Sequence, residues 1–102
     1  MGHVFGAIAD PTRRDILDLL RRQDLAAGEL AERFPVTRPA ISRHLRILRQ
    51  AGLVRETRQA QSRIYSLEPQ PLAEVERWVS QYRVFWGARL HALKRHVEEE
   101  SP

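Results

Sequence analysis

Apolar residues recur along this chain at two different spacings, and the change of spacing marks its architecture. Between Thr37 and Gly52, Ile41, Leu45 and Leu48 return at i, i+4 and i+7 and form one stripe of a helix. Thr37 is a suitable N-cap, and Pro39 falls in the first turn, where a missing N–H does no harm. Gly52 stands where a left-handed C-terminal cap is wanted. The segments before it are helical too. His3 to Ala9, with Val4, Phe5 and Ile8, predicts a short first helix. Asp10-Pro11 restarts the chain with a cap and an N1 proline, and a helix to about Gln23 buries Ile16, Leu17 and Leu20. Leu25 to Phe34 predicts a third short helix with Leu30, Ala31 and Phe34 inward, ended by Pro35-Val36.

After Gly52 the period changes. Leu53 to Gln59 and Arg63 to Leu67 predict two strands, rich in Val54, Thr57, Ile64, Tyr65 and Leu67, joined through the polar tip Ala60-Gln61-Ser62. Pro69 and Pro71 punctuate. Val75, Val79, Tyr82, Trp86, Leu90, Leu93 and Val97 then follow at steps of four and three, which predicts helix from Leu72 to Val97, with Gly87 permitting a kink. Trp78 and Phe85 widen that stripe. Trp78, Tyr82, Phe85, Trp86, Leu90 and Leu93 are more apolar surface than a 70-residue head can cover, so the surplus implies a partner surface, most simply the same helix of a second copy.

Charge gives the central helix a direction. Its second face carries Arg38, Ser42, Arg43, Arg46, Arg49 and Gln50, with no acid between Thr37 and Gly52. The chain has a net charge of +4, yet residues 36–67 alone hold seven Arg and one acid, Glu56. That is the footprint of a polyanion partner, and double-stranded DNA fits a basic helix preceded by a tight turn. Arg55, Arg58 and Arg63 make the following hairpin basic as well. The plainer readings are a solvated basic helix and an edge hairpin blunted by charge. Arg13 and Arg14 lie too near the positive helix end to favour that helix, and read as surface charge or as phosphate contacts.

These elements predict a fold that is mainly α with a small β-hairpin: one winged helix-turn-helix domain, with residues 1–70 as a DNA-binding head and 71–102 as a C-terminal dimerisation helix. Cys is absent, so disulfides, thiolate metal sites and a cysteine nucleophile are excluded. The chain has no G-x-S-x-G and no P-loop, and its carboxylates suit solvated helix faces, so no enzyme, catalytic residue or cofactor is expected. No segment approaches a membrane span or a secretory h-region, which predicts a cytoplasmic protein. A winged-helix module binding RNA or another protein is the rival reading. A membrane-surface role for the Trp-rich last helix is opposed by the mixed charges of its polar face.

Several stretches in this order resemble the ArsR family of winged-helix repressors: DPTRRDIL at Asp10–Leu17, GELAERF at Gly28–Phe34, SRHLRILRQAGLV at Ser42–Val54 and RIYSL at Arg63–Leu67. WVSQYRVFW at Trp78–Trp86, followed by RLHAL, is similar to a metal-independent branch of that family. The resemblance implies a homodimer that binds a palindromic operator and represses transcription, with the first and last helices, and so Phe5 beside the C-terminal aromatics, forming the dimer interface. It implies that Thr37, Arg38, Ser42, Arg43 and His44 lie near DNA, with Arg38 standing where Gln is common. For His44 a DNA contact and a half-buried helix histidine are both open. Family positions that carry metal-sensing cysteines correspond here to Ala26, Gly28 and Ala31, which have no ligand atom. His91 and His96 are five residues apart on the last helix, roughly 140° around it, and do not converge on one ion. No metal site is therefore expected, the alternative being a cross-subunit site that uses His91 or His96, and no effector is legible.

Overall fold

The computed structural model describes residues 3–100, with side chains throughout except at positions 88, 90 and 98–100. The elements are α1 (His3–Ile8), α2 (Pro11–Arg22), β1 (Leu25–Ala26), α3 (Ala27–Glu32), α4 (Arg38–Gln50), β2 (Val54–Gln59), β3 (Ser62–Leu67), α5 (Leu72–Ser80) and α6 (Arg83–Glu100). The expected architecture, mainly helical with a small antiparallel sheet, is the observed one.

Local signals set the helix ends. Asp10 caps α2: its carboxylate accepts the Arg13 backbone N–H at 3.0 Å, with Pro11 at the first helical position. Thr37 caps α4 in the same way, Oγ1 accepting the Ala40 N–H at 3.2 Å. The far end of α4 closes through Gly52 at φ 74°, where the Gly52 N–H reaches the Arg49 carbonyl and the Leu53 N–H reaches the Leu48 carbonyl, each at 3.0 Å. This pair of bonds is the Schellman motif, and it needs a residue that accepts positive φ.

One core joins these elements. Ile16 and Leu20 from α2, Leu30 from α3, Ile41, Leu45 and Leu48 from α4, Leu53 just before β2, and Val54 and Tyr65 from the sheet are all buried, with Val4 and Ala7 of α1 closing one side. Truncating a buried leucine of this set is worth about 2–5 kcal/mol.

Two expectations are corrected. Leu25 and Ala26 do not begin a helix; they form a strand against β3, with Leu25 opposite Tyr65 and Ala26 opposite Ile64. The sheet therefore has three strands in the order β1-β3-β2, and α3 starts only at Ala27, where the Glu29 carboxylate accepts the Ala26 N–H at 3.0 Å. The stretch LAAGEL is made of helix-compatible residues, and tertiary pairing overrides that local preference. The hairpin itself stands in the expected place, but turns over Ala60-Gln61 with Ser62 already paired to Gln59. Ala60 takes φ 54°, in the left-handed region.

The C-terminal segment is likewise two helices, not one. The break falls at Gln81-Tyr82, six residues before Gly87, which lies inside α6. Here the N–H groups of Gln81 and Tyr82 reach back three residues, to Trp78 and Val79, and the Ser80 hydroxyl donates to the Arg77 carbonyl at 2.8 Å. Such a back-bonding hydroxyl loosens and bends the helix that carries it. An Arg83–Glu76 ion pair at 2.7 Å braces the corner. The radius of gyration is 18.4 Å, against about 13 Å for a compact chain of this length, because the last helix projects from the head.

The Asp10 cap makes acid stability specific. The Arg13 backbone N–H, aided by the Arg13 guanidinium, holds the Asp10 carboxyl below its ordinary 3.8 despite partial burial. A depressed folded value means that its stabilisation is complete above the unfolded value and is lost as pH falls through the folded one. Asp10→Asn keeps a competent cap without the titration. Thermal melts from pH 7 down to pH 3 should therefore fall less steeply for the variant below about pH 4; parallel curves refute the assignment.

Candidate nucleic-acid interface

α3, the turn through Pro35 and Val36, and α4 make a helix-turn-helix. Because Ile41, Leu45 and Leu48 take one face of α4 into the core, the other face must be presented outward. Arg38, Ser42, Arg46 and Arg49 follow at i, i+4, i+8 and i+11 and share that outward face, with Arg43 beside them; all five are exposed. Thr37 is exposed at the amino end of the helix. Arg38 folds back over α3, its terminal nitrogen lying 3.2 Å from where a Cβ on Gly28 would be.

The hairpin β2–β3 extends the same basic surface, and its register places Arg58 directly opposite Arg63. Like charges in that relation destabilise a hairpin. Glu56 offsets part of the repulsion. Its side chain is only 20% exposed and stands between Arg49 of α4, with which it forms a close ion pair, and the Arg63 Nε at 3.5 Å. Arg55 is drawn to the other edge of the hairpin by Glu68 at 2.6 Å. Between α4 and the hairpin lies a cleft of about 240 Å³ lined by Ser42, Arg46, Arg49, Glu56, Arg63 and Tyr65 among others. Burial and the neighbouring Glu56 raise the Tyr65 hydroxyl above its ordinary pKa.

His44 is turned inward along the flank of α4. Its side chain is 17% exposed, with Nδ1 3.1 Å from the Arg13 guanidinium and 3.9 Å from the Asp10 carboxylate. A guanidinium can only donate, so Nδ1 must accept, and this geometry assigns the ring proton to Nε2. The same Arg13 donates to the Ala7 carbonyl at 2.7 Å and the Gly6 carbonyl at 3.2 Å, while Arg14 donates to Ile8 at 2.8 Å and Ala9 at 3.2 Å. Neither arginine is idle surface charge: both donate to carbonyls at the carboxyl end of α1, where among the described residues only Gly6 of these also accepts a backbone N–H, that of Ala9 at 3.3 Å. The sequence signal was there in the unsatisfied end of a six-residue helix followed by two arginines.

The predicted aromatic set divides. Phe5 of α1 meets Trp78 of α5 edge-on at 5.8 Å, and Trp78 meets Tyr82 at 5.4 Å. Phe85, Trp86 and Leu93 lie on α6 and are exposed by 66%, 52% and 59%. The Leu90 side chain lies outside the described residues. Among the described residues no three His, Cys, Asp or Glu side chains converge as a metal site, and no helix is long and apolar enough to cross a membrane.

A short helix and a basic amphipathic helix meeting at a tight turn, with an antiparallel hairpin alongside, define a winged helix-turn-helix protein. The family model for bacterial regulatory proteins of the arsR family matches residues 10–56. The chain is 47% identical to the transcriptional repressor SdpR of Bacillus subtilis, over 78% of this chain and 88% of that protein. It is 38% identical to the HTH-type transcriptional regulator Rv2034 of Mycobacterium tuberculosis, over 92% and 85%. It is also similar to the solved structure of an ArsR-like transcriptional regulator from Rhodococcus sp. RHA1, with a TM-score of 0.69 and 36% identity over 92% of this chain and 89% of that one. The chain belongs to the ArsR family and is a DNA-binding transcriptional regulator, not an enzyme.

Arg13 is expected to matter more to folding than its position on an outer helix suggests. Arg13→Ala leaves the Ala7 carbonyl and His44 Nδ1 without their Arg13 donor and removes one of two donors to the Gly6 carbonyl, at a cost of about 1–3 kcal/mol. Arg21→Ala, on the exposed end of α2, should cost less than about 0.5 kcal/mol. Urea midpoints compare the two; equal shifts contradict the capping role.

Proposed function

We propose that this protein is a homodimeric repressor that sets its two α4 helices into successive major grooves of a palindromic operator. The one-signed outer face of α4, continued by the hairpin, carries this reading. Arg43 and Ser42 read base edges, Arg43 through a bidentate fork to guanine O6 and N7. Thr37 and Arg38 approach the backbone at the amino end of α4, where the Thr37 oxygen already caps the helix and its hydroxyl proton is free to turn to phosphate. His44 offers its Nε2–H from the flank. Arg46, Arg49, Arg58 and Arg63 follow the phosphates on the hairpin side. The similarity to SdpR, itself a transcriptional repressor, supports repression as the output. Ala26, Gly28 and Ala31 offer no ligand atom, which supports the metal-independent branch.

The partner copy covers the terminal helices. Trp78, Tyr82, Phe85, Trp86 and Leu93 each leave 43% or more of their surface exposed in one chain, and α6 projects from the head. Phe5 borders this face through its contact with Trp78, and Leu90 continues its sequence pattern. A face of this kind is too apolar to stay in water in a monomer.

Fluorescence anisotropy against a duplex selected from a randomised pool, a random duplex, single-stranded DNA and RNA tests the first part. The selected duplex should bind tightest, and Arg43→Ala should cost about 1–3 kcal/mol on it. Indifference to Arg38→Ala combined with Arg43→Ala removes α4 as the reading helix. For the second part, the intact chain should sediment as a dimer and Trp86→Glu as a monomer, with operator affinity reduced at least roughly a hundredfold as the two half-sites uncouple. A wild type that sediments as a monomer at micromolar concentration defeats the dimer.

A further inference from the structure

Glu56 is the one acid among seven arginines in residues 36–67, and it does not lie on the solvated rim of the hairpin. It stands opposite Tyr65 in the strand register, its side chain 20% exposed, with each carboxylate oxygen assigned to a different cation. Oε2 takes Arg49 from α4, and Oε1 faces Arg63 Nε from β3. Arg55 is held by Glu68, while Arg38, Arg43, Arg46 and Arg58 form no ion pair among the described residues. The basic surface thus contains two populations of arginine, one open and one shared with a carboxylate.

We infer that Glu56 is a specificity-determining positioning residue, which withholds Arg49 and Arg63 from indiscriminate phosphate contact while fixing the hairpin against α4. The inference rests on the reading of α4 and the hairpin as the DNA face. Non-specific binding is driven by counterions released when free cations neutralise phosphates, and a guanidinium already neutralised by a carboxylate releases few. To reach Arg49 or Arg63, a phosphate must also approach Glu56, a like charge. A duplex seated in register, with α4 deep in its groove, brings phosphates near enough to share Arg49 and Arg63 with Glu56 and so recovers their attraction. A random duplex does not, so the carboxylate penalises the wrong partner more than the right one.

The test measures log K against log salt for a random duplex and for a duplex selected by the wild type. Glu56→Gln, nearly the same shape without the charge, should raise random-duplex affinity about five- to tenfold. It should steepen the salt slope by roughly one to two units, as two further phosphates are neutralised at about 0.9 each. The ratio of selected to random affinity should fall. Arg49→Gln, which leaves Glu56 in place and so decides the matter even if Glu56→Gln folds poorly, should move the random-duplex slope by less than about half a unit, whereas loss of the unpaired, phosphate-facing Arg46 in Arg46→Ala flattens it by about one. A Glu56→Gln slope equal to wild type, or an Arg49→Gln slope as flat as that of Arg46→Ala, overturns the role of Glu56. If Arg46→Ala changes neither slope nor affinity, the assignment of the DNA face fails as well, and the two failures are told apart.

Discussion

The central helix has to be held from one side only. Its outward face must stay open, so the restraints on α4 come from Ile41, Leu45 and Leu48 beneath it, from its two ends and from its flanks. Burying three such side chains supplies roughly 1.5–3 kcal/mol apiece, which binds the helix to the core but leaves rocking about its own axis weakly opposed. Directional contacts complete the restraint. Thr37 closes one end and the Gly52 turn the other, while Arg13 through His44 and Glu56 through Arg49 hold the two flanks. A helix that must match a groove to within a fraction of a turn needs this kind of bracing.

Where independent local signals agree, the sequence was legible. At α4 a capping threonine, an early proline, an apolar stripe and a trailing glycine all point to the same helix, and the structure departs from that reading by no more than a residue at either end. Leu25-Ala26 was not legible, since nothing local distinguishes it from the helix that follows; the pairing partner Ile64-Tyr65 lies some forty residues away. The break at Gln81-Tyr82 contains neither glycine nor proline, and only the direction of the Ser80 hydroxyl reveals it. The charged residues show the same limit. Composition identified Glu56 as the lone acid and Arg13 as an ill-placed base, but which partner each would take depends on the packing of α1 against α4 and of the hairpin against α4.

Self-repulsion is the cost of a one-signed surface, and this chain limits it without cancelling it. Glu56 and Glu68 each take an arginine that would otherwise crowd the hairpin, yet Arg58 still faces Arg63 across the strands. A hairpin selected for stability alone would place an acid at one of those two positions. That arrangement is explicable when the missing counter-charge is provided by a partner, as the phosphates of the proposed duplex would provide it.

α1 connects the two halves of the molecule. A helix of six residues has no stability of its own in water, so its orientation is dictated by what it touches. On one side Phe5 meets Trp78 edge-on, within the aromatic face of the terminal helices. On the other, Arg13 gathers the carbonyls of Gly6 and Ala7 and the His44 ring into one set of bonds. Val4 and Ala7 add the apolar part by entering the core. Contacts made by the terminal helices and by α4 therefore meet in a single short element. A tilt of α1 that improves its fit to Trp78 must move the Gly6 and Ala7 carbonyls relative to Arg13, and Arg13 cannot follow them without leaving His44.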